Sequence, residues 1–137
     1  PILEDNGDTA WLRGLGISDD GSLVGYLRGG LVFLWHRDSG VTMQLPGSNV
    51  QDLYVAGDGQ SVVFSTPSPL VPGDDTADWR HYDVYRYRVA DDQYERLTTV
   101  GSRETRVRGI SDDGNRVLIL SPTPTGPSDT DGAADFS

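Results

Sequence analysis

The segment Asp129-Thr130-Asp131-Gly132-Ala133-Ala134-Asp135 sets two carboxylates at alternate positions before a glycine and a third four residues after the second. Hard oxygen ligands so spaced can converge on one Ca²⁺, which makes Asp129, Asp131 and Asp135 the candidate metal ligands. The segment lacks the further ligand before the glycine and the distal glutamate of an EF-hand loop. The same acids would serve equally as solvated turn residues among Pro and Gly.

A second cluster is Trp79-Arg80-His81-Tyr82, the aromatic group that falls in a polar insertion, Thr66 to His81, rather than on a strand. Aromatic rings beside an arginine are the composition of a protein-binding hot spot or a sugar platform, so these four are the candidate partner-binding residues. Trp79 folding back over the end of its own structural unit would produce the same composition. The two histidines, His36 and His81, have no evident catalytic partner, and no Gly-x-Ser-x-Gly nucleophile elbow occurs. Cysteine is absent, which excludes disulfides, thiolate catalysis and Cys-type zinc sites. On these residues the chain carries no enzyme active site.

What would position such loops is a repeat. Gly16-Ile17-Ser18-Asp19-Asp20-Gly21, Val55-Ala56-Gly57-Asp58-Gly59 and Gly109-Ile110-Ser111-Asp112-Asp113-Gly114 each precede a short apolar run. Asp and Gly accept the positive φ of tight hairpin turns, so each motif reads as a hairpin tip. The turn glycines Gly21 and Gly59 lie 38 residues apart, and Gly59 and Gly114 lie 55 apart. The first spacing suits a four-stranded propeller blade, and the polar insertion accounts for the extra length of the second. Repeated units of this kind bury their apolar faces only against one another.

Predicted strands in the first repeat are Thr9 to Ile17, Leu23 to Leu27, Leu31 to His36 and Val41 to Leu45; in the second they are Val50 to Val55, Val62 to Ser65, Val84 to Val89 and Tyr94 to Thr98. The third repeat shows two, Thr105 to Ile110 and Arg116 to Leu120, before a Pro/Gly/Asp-rich segment. The expected fold is therefore all-β: a partial β-propeller of about two and a half four-stranded antiparallel blades, over residues 9–47, 49–100 and 103–137 of a single domain. The continuous apolar runs Leu31 to Trp35 and Val117 to Leu120 read as central strands covered on both faces, whereas Arg86 and Arg88 alternate with Tyr85, Tyr87 and Val89 as on a strand with one wetter face.

The formal charge is −10, from 21 acidic and 11 basic residues, so a nucleic-acid backbone would be repelled. Aspartate supplies 18 of the acids, and all the bases are arginine. That skew suits a turn-rich β chain, and a compositional bias or a saline habitat would produce it as well. No stretch has the apolar length of a membrane span, and the start at Pro1, without initiator Met or signal-like segment, reads as processed or excised.

Ile110-Ser111-Asp112-Asp113-Gly114 followed by Val117-Leu118-Ile119-Leu120 resembles the WD-like, TolB-type β-propeller repeat of bacteria. Val62-Val63-Phe64-Ser65, Leu70-Val71-Pro72-Gly73-Asp74, Asp83-Val84-Tyr85 and Arg96-Leu97-Thr98 of the second repeat fit the same pattern. Gly14-Leu15-Gly16-Ile17-Ser18, Val24-Gly25-Tyr26, Phe33-Leu34-Trp35 and Leu45-Pro46-Gly47 of the first look more like the extracellular HAF-type repeat. The Asp129 segment is similar to an Asp-Thr-Asn-Gly-Ala-Ala-Asp loop of TolB-type blades, with Asp131 in place of Asn.

The resemblance implies a piece of a larger bacterial protein, periplasmic or extracellular, or a protomer that closes its ring as a homo-oligomer. The absence of a catalytic constellation favours a non-catalytic module that binds a protein partner, with Ca²⁺ as the ligand the Asp129 loop would take. The alternatives are an accessory propeller of a larger enzyme, such as a prolyl-oligopeptidase-like peptidase, and a cell-surface carbohydrate binder using Trp79 and the tyrosines.

Overall fold

The computed structural model describes residues 12–73, 81–98, 102–122 and 135–136. Among them there is no helix, and the strands form three antiparallel sheets. The first sheet runs in chain order through β1 (Leu12–Ile17), β2 (Leu23–Arg28), β3 (Leu31–His36) and β4 (Val41–Gln44). The second follows the same plan with β5 (Leu53–Val55), β6 (Ser61–Thr66), β7 (Asp83–Arg88) and β8 (Gln93–Arg96). In the third, β10 (Val117–Ser121) lies between β9 (Arg106–Ile110) and β11 (Asp135–Phe136).

The hairpin tips follow from their residue types. Gly21, Gly59 and Gly114 occupy φ values of 70°, 71° and 73°, a region that a side chain enters only at a cost. In the first tip the Ser18 hydroxyl donates to Asp20 Oδ1 at 2.9 Å, and the same oxygen accepts the Ser22 N–H at 2.9 Å. The Leu23 N–H then donates to Ser18 Oγ at 3.0 Å, so one serine and one aspartate close the turn. Ser111 and Asp113 repeat the device in the third sheet at 2.6 Å, with the Asn115 and Arg116 N–H groups as donors. The second tip has Ala56 in place of the serine and keeps only the Asp58 bond to the Gln60 N–H.

The sheets stack face on face. Leu23, Leu27, Val32, Leu34 and Leu45 of the first pack on Val62, Phe64, Tyr85 and Tyr87 of the second, and all are buried. On the other side of the second sheet, Val63 and Val84 meet Val107 and Ile119 of the third. Every residue of β6 is consequently buried, and Val62, Val63 and Phe64 are 0% exposed. Asp83 is buried at the edge of this core, where Thr98 Oγ1 donates to it at 2.6 Å and Arg96 at 3.0 Å, fastening β7 to the end of β8. A buried carboxylate is tolerable because these donors replace its water.

Two details depart from the sequence reading. Leu31 to Trp35 and Val117 to Leu120 are not covered on both faces: β3 buries Val32 and Leu34 but only half-buries Phe33 and Trp35, and Leu118 on β10 is 41% exposed. Their sheets are the outer ones, each with a described neighbour on one side, and the strands that pack into both clusters are β6 and, at Val84 and Tyr85, β7. The third sheet also gains a strand from the segment read as a loop, since Ser121 pairs with Asp135 and Leu120 with Phe136.

Candidate functional site

The three Asp-Gly tips lie side by side at one end of the stack. The Asp19 N–H donates to the Gly57 carbonyl at 2.7 Å, and the Asp58 N–H donates to the Asp112 carbonyl at 2.8 Å, so each tip is bonded to the next. A Cβ on Gly57 would lie 2.6 Å from Asp19 Oδ2 and 2.7 Å from Asp112 Oδ1. The second repeat carries glycine where its neighbours carry aspartate because both neighbouring carboxylates occupy that space. Hydrogen bonds from Ser22 and Ser18 hold the exposed Asp20 carboxyl down at about 2. Donors from Ser111 and Asn115 lower Asp113 in the same way. These acids are turn-closing groups, engaged by their own loops.

The opposite end of the stack carries a polar seam between the second and third sheets. Asp52, just ahead of β5, is bonded to the end of β6: its carbonyl accepts the Ser65 N–H at 3.3 Å, and its Oδ2 accepts the Ser65 hydroxyl at 3.2 Å. Arg106 opens β9 and brings its Nε to 3.8 Å from the same Oδ2. Its guanidinium lies over the Tyr82 ring, 5.0 Å from the centroid, while its Nη1 is held by the carbonyls of Arg103 and Thr105. The Tyr82 hydroxyl accepts from Gln51 Nε2 at 2.8 Å, and the Tyr82 N–H donates to the Ser102 carbonyl at 3.0 Å. Beneath them Thr105 Oγ1 bonds the hydroxyls of Ser102 and Ser121 at 3.1 and 3.2 Å.

Electrostatically the seam is a half-compensated pair. Burial raises the Asp52 carboxyl above its ordinary range, and the Ser65 hydroxyl and the Arg106 and Arg108 charges offset this only in part. At 3.8 Å the ion pair is longer than a charge-assisted hydrogen bond, so the guanidinium keeps capacity for a further acceptor. The Tyr82 ring beneath it and two backbone carbonyls hold it in place. Such a group has the donors to hold a carbonyl or carboxylate oxygen. It does not constitute a nucleophile relay: Ser65 is 0% exposed, and its hydroxyl is spent on Asp52.

The predicted site residues fall as follows. Trp79, Arg80, Asp129 and Asp131 lie outside the described residues, and Asp135 is placed in β11 opposite Ser121. His81 is exposed, and Tyr82 is 8% exposed, a buried support for Arg106 rather than a free platform. Gln51, Asp52 and Arg106 were not singled out from the sequence. They come from segments more than fifty residues apart and meet only because the second sheet stacks on the third.

No protein family and no curated protein matches the sequence. Solved structures do match the fold. The β-propeller domain of the Trilobed protease from Pyrococcus furiosus aligns with a TM-score of 0.62 at 12% identity, over 83% of this chain and 35% of that one. The tricorn protease aligns with 0.62 at 13% identity, over 98% of this chain and 13% of that one. TolB from Acinetobacter baumannii aligns with 0.58 at 16% identity, over 93% and 32%. This chain therefore spans about a third or less of the structures it resembles. Its three stacked sheets have the fold of β-propeller blades and form part of such a propeller.

Proposed function

We propose that the chain is a non-catalytic propeller module that offers the seam between its second and third blades to a protein partner, within a larger bacterial protein of the periplasm or cell exterior. The supporting observation is Arg106, held over the Tyr82 ring and only partly neutralised by Asp52, with exposed His81 preceding Tyr82 in the chain. A fixed guanidinium with an aromatic support loses little entropy on binding, as suits an interface anchor.

A photo-crosslinking residue in place of His81, expressed in the host cell, should form an adduct with one defined protein. Arg106→Ala should abolish that adduct. Adducts that are absent, or indifferent to Arg106→Ala, would remove the seam from consideration. The likeness to the propeller of the Trilobed protease and to tricorn favours a second reading, the accessory propeller of a peptidase. A hydrolase domain encoded in the same reading frame would decide for it.

A further inference from the structure

The two ends of the blade stack are complementary to each other. Within the stack, Gly16 and Gly25 stand opposite one another on β1 and β2 and form a recess that Val55 of the second sheet fills. Val55 Cγ2 comes within 3.0 and 2.9 Å of where their Cβ atoms would be, and Leu53 packs beside it. Alignment of the repeats on their turn glycines places Ile17 and Leu15 of the first repeat at the positions of Val55 and Leu53. These two point away from the stack, 62% and 66% exposed, as a knob without a recess.

The same alignment places Gly109 at the position of Gly16, on the outer face of the third sheet. A Cβ there would meet only Leu118 Cβ, at 4.0 Å. Gly109, Ile110, Ser111, Arg116, Val117 and Leu118 line an open groove of about 330 Å³ at this point, a recess without a knob.

The backbone is incomplete in the matching sense. Each inner tip receives a hydrogen bond from the tip before it, at the Gly57 and Asp112 carbonyls. Among the described residues the equivalent Asp19 carbonyl accepts none, and the Asp112 N–H, equivalent to the donor at Asp19, donates none.

We propose that two copies of this chain associate head to tail, Leu15 and Ile17 of each seating in the Gly109 groove of the other and its Asp112 N–H meeting the Asp19 carbonyl. This goes beyond the partner-binding reading, since it uses the two faces of the stack and leaves the seam open. The contact continues the interface already present between the first and second sheets. The contact is heterologous, joining the outer face of the third sheet of one copy to the outer face of the first sheet of the other. Leu118 stands where Gly25 does, which makes the new recess shallower than the internal one and the contact reversible. Apposed tips bring Asp19 and Asp20 toward Asp112 and Asp113, and each copy carries a net −10, so salt should strengthen association by screening repulsion.

Sedimentation of the full chain should show a dimer, twice the 14.9 kDa mass of the chain, whose proportion rises with NaCl. Ile17→Asp removes the knob and Gly109→Val fills the recess, and each variant alone should be monomeric. Mixed in equal amounts they should recover dimer, because one intact knob then faces one intact recess. Recovery also shows that both variants fold. A monomer at all concentrations and salts, or a dimer lost in only one of the two variants, would overturn the proposal in favour of a further repeat or a face-to-face contact.

Discussion

Two aspartates of one type behave in opposite ways because of what surrounds them. Asp20, fully exposed, is held at about 2 by the donors of Ser22 and Ser18. Its folded form is favoured when ionised, so the stability it lends is complete above its ordinary value of 3.8 and is lost as pH falls through about 2. A carboxyl-carbon NMR titration of Asp20 should give a midpoint near 2, and Ser18→Ala should move it upward. A midpoint near the ordinary value would mean that the turn does not bind its own acid.

Asp52 is raised by burial. As pH climbs past 3.8 the unfolded chain ionises first, so this group costs stability toward neutrality. Asp52→Asn keeps an acceptor for Ser65 and removes the charge. The variant should melt no lower than the parent at pH 7, with its relative advantage shrinking at acid pH. A marked loss at pH 7 would show the Arg106 pair outweighing desolvation. The Asp-Gly tips that hold Asp20 were legible in the sequence, since Ser, Asp and Gly act there through neighbours two to five residues away. The Asp52 seam was not, because none of its contacts to Arg106 and Tyr82 is local.

At the level of elements, glycine marks where sheets approach. Gly25 would place a Cβ 2.9 Å from Val55 Cγ2 and 3.2 Å from Leu53 Cδ2, closer than packed carbons tolerate. Gly25→Ala should therefore lose about 1–3 kcal/mol by overpacking, read as a lower urea midpoint at unchanged slope. Gly109→Ala, with only Leu118 Cβ at 4.0 Å, should stay within about 0.5 kcal/mol. Equal effects at the two sites would contradict the packing of Val55 against the first sheet. The alternation of β7 reports which residues share a face, but its second face is not the wetter one expected: Val84 is 0% exposed against the third sheet, and Arg86 reaches the Gly114 carbonyl. β3 and β10 are longer apolar runs than β6, which has serine or threonine at three of its six positions, yet position in the stack buries β6 throughout.

For the molecule as a whole, stacking in a line makes stability a sum of blade and nearest-neighbour interface contributions. The second sheet has two such interfaces and the others have one described interface each. Phe64, 0% exposed on β6, contributes to the larger core, and Phe64→Ala should cost about 3–5 kcal/mol. Val107 and Ile119 anchor the third sheet through a smaller cluster, so that sheet should open first. Amide hydrogen exchange should then rank β6 and β7 slowest and β9 and β10 faster. Val107→Ala should accelerate exchange in the third sheet while leaving β2 and β3 nearly untouched. Uniform protection across the three sheets, or Val107→Ala loosening the first sheet as much as the third, would mean that the array unfolds as one indivisible unit and that its interfaces are not separable contributions.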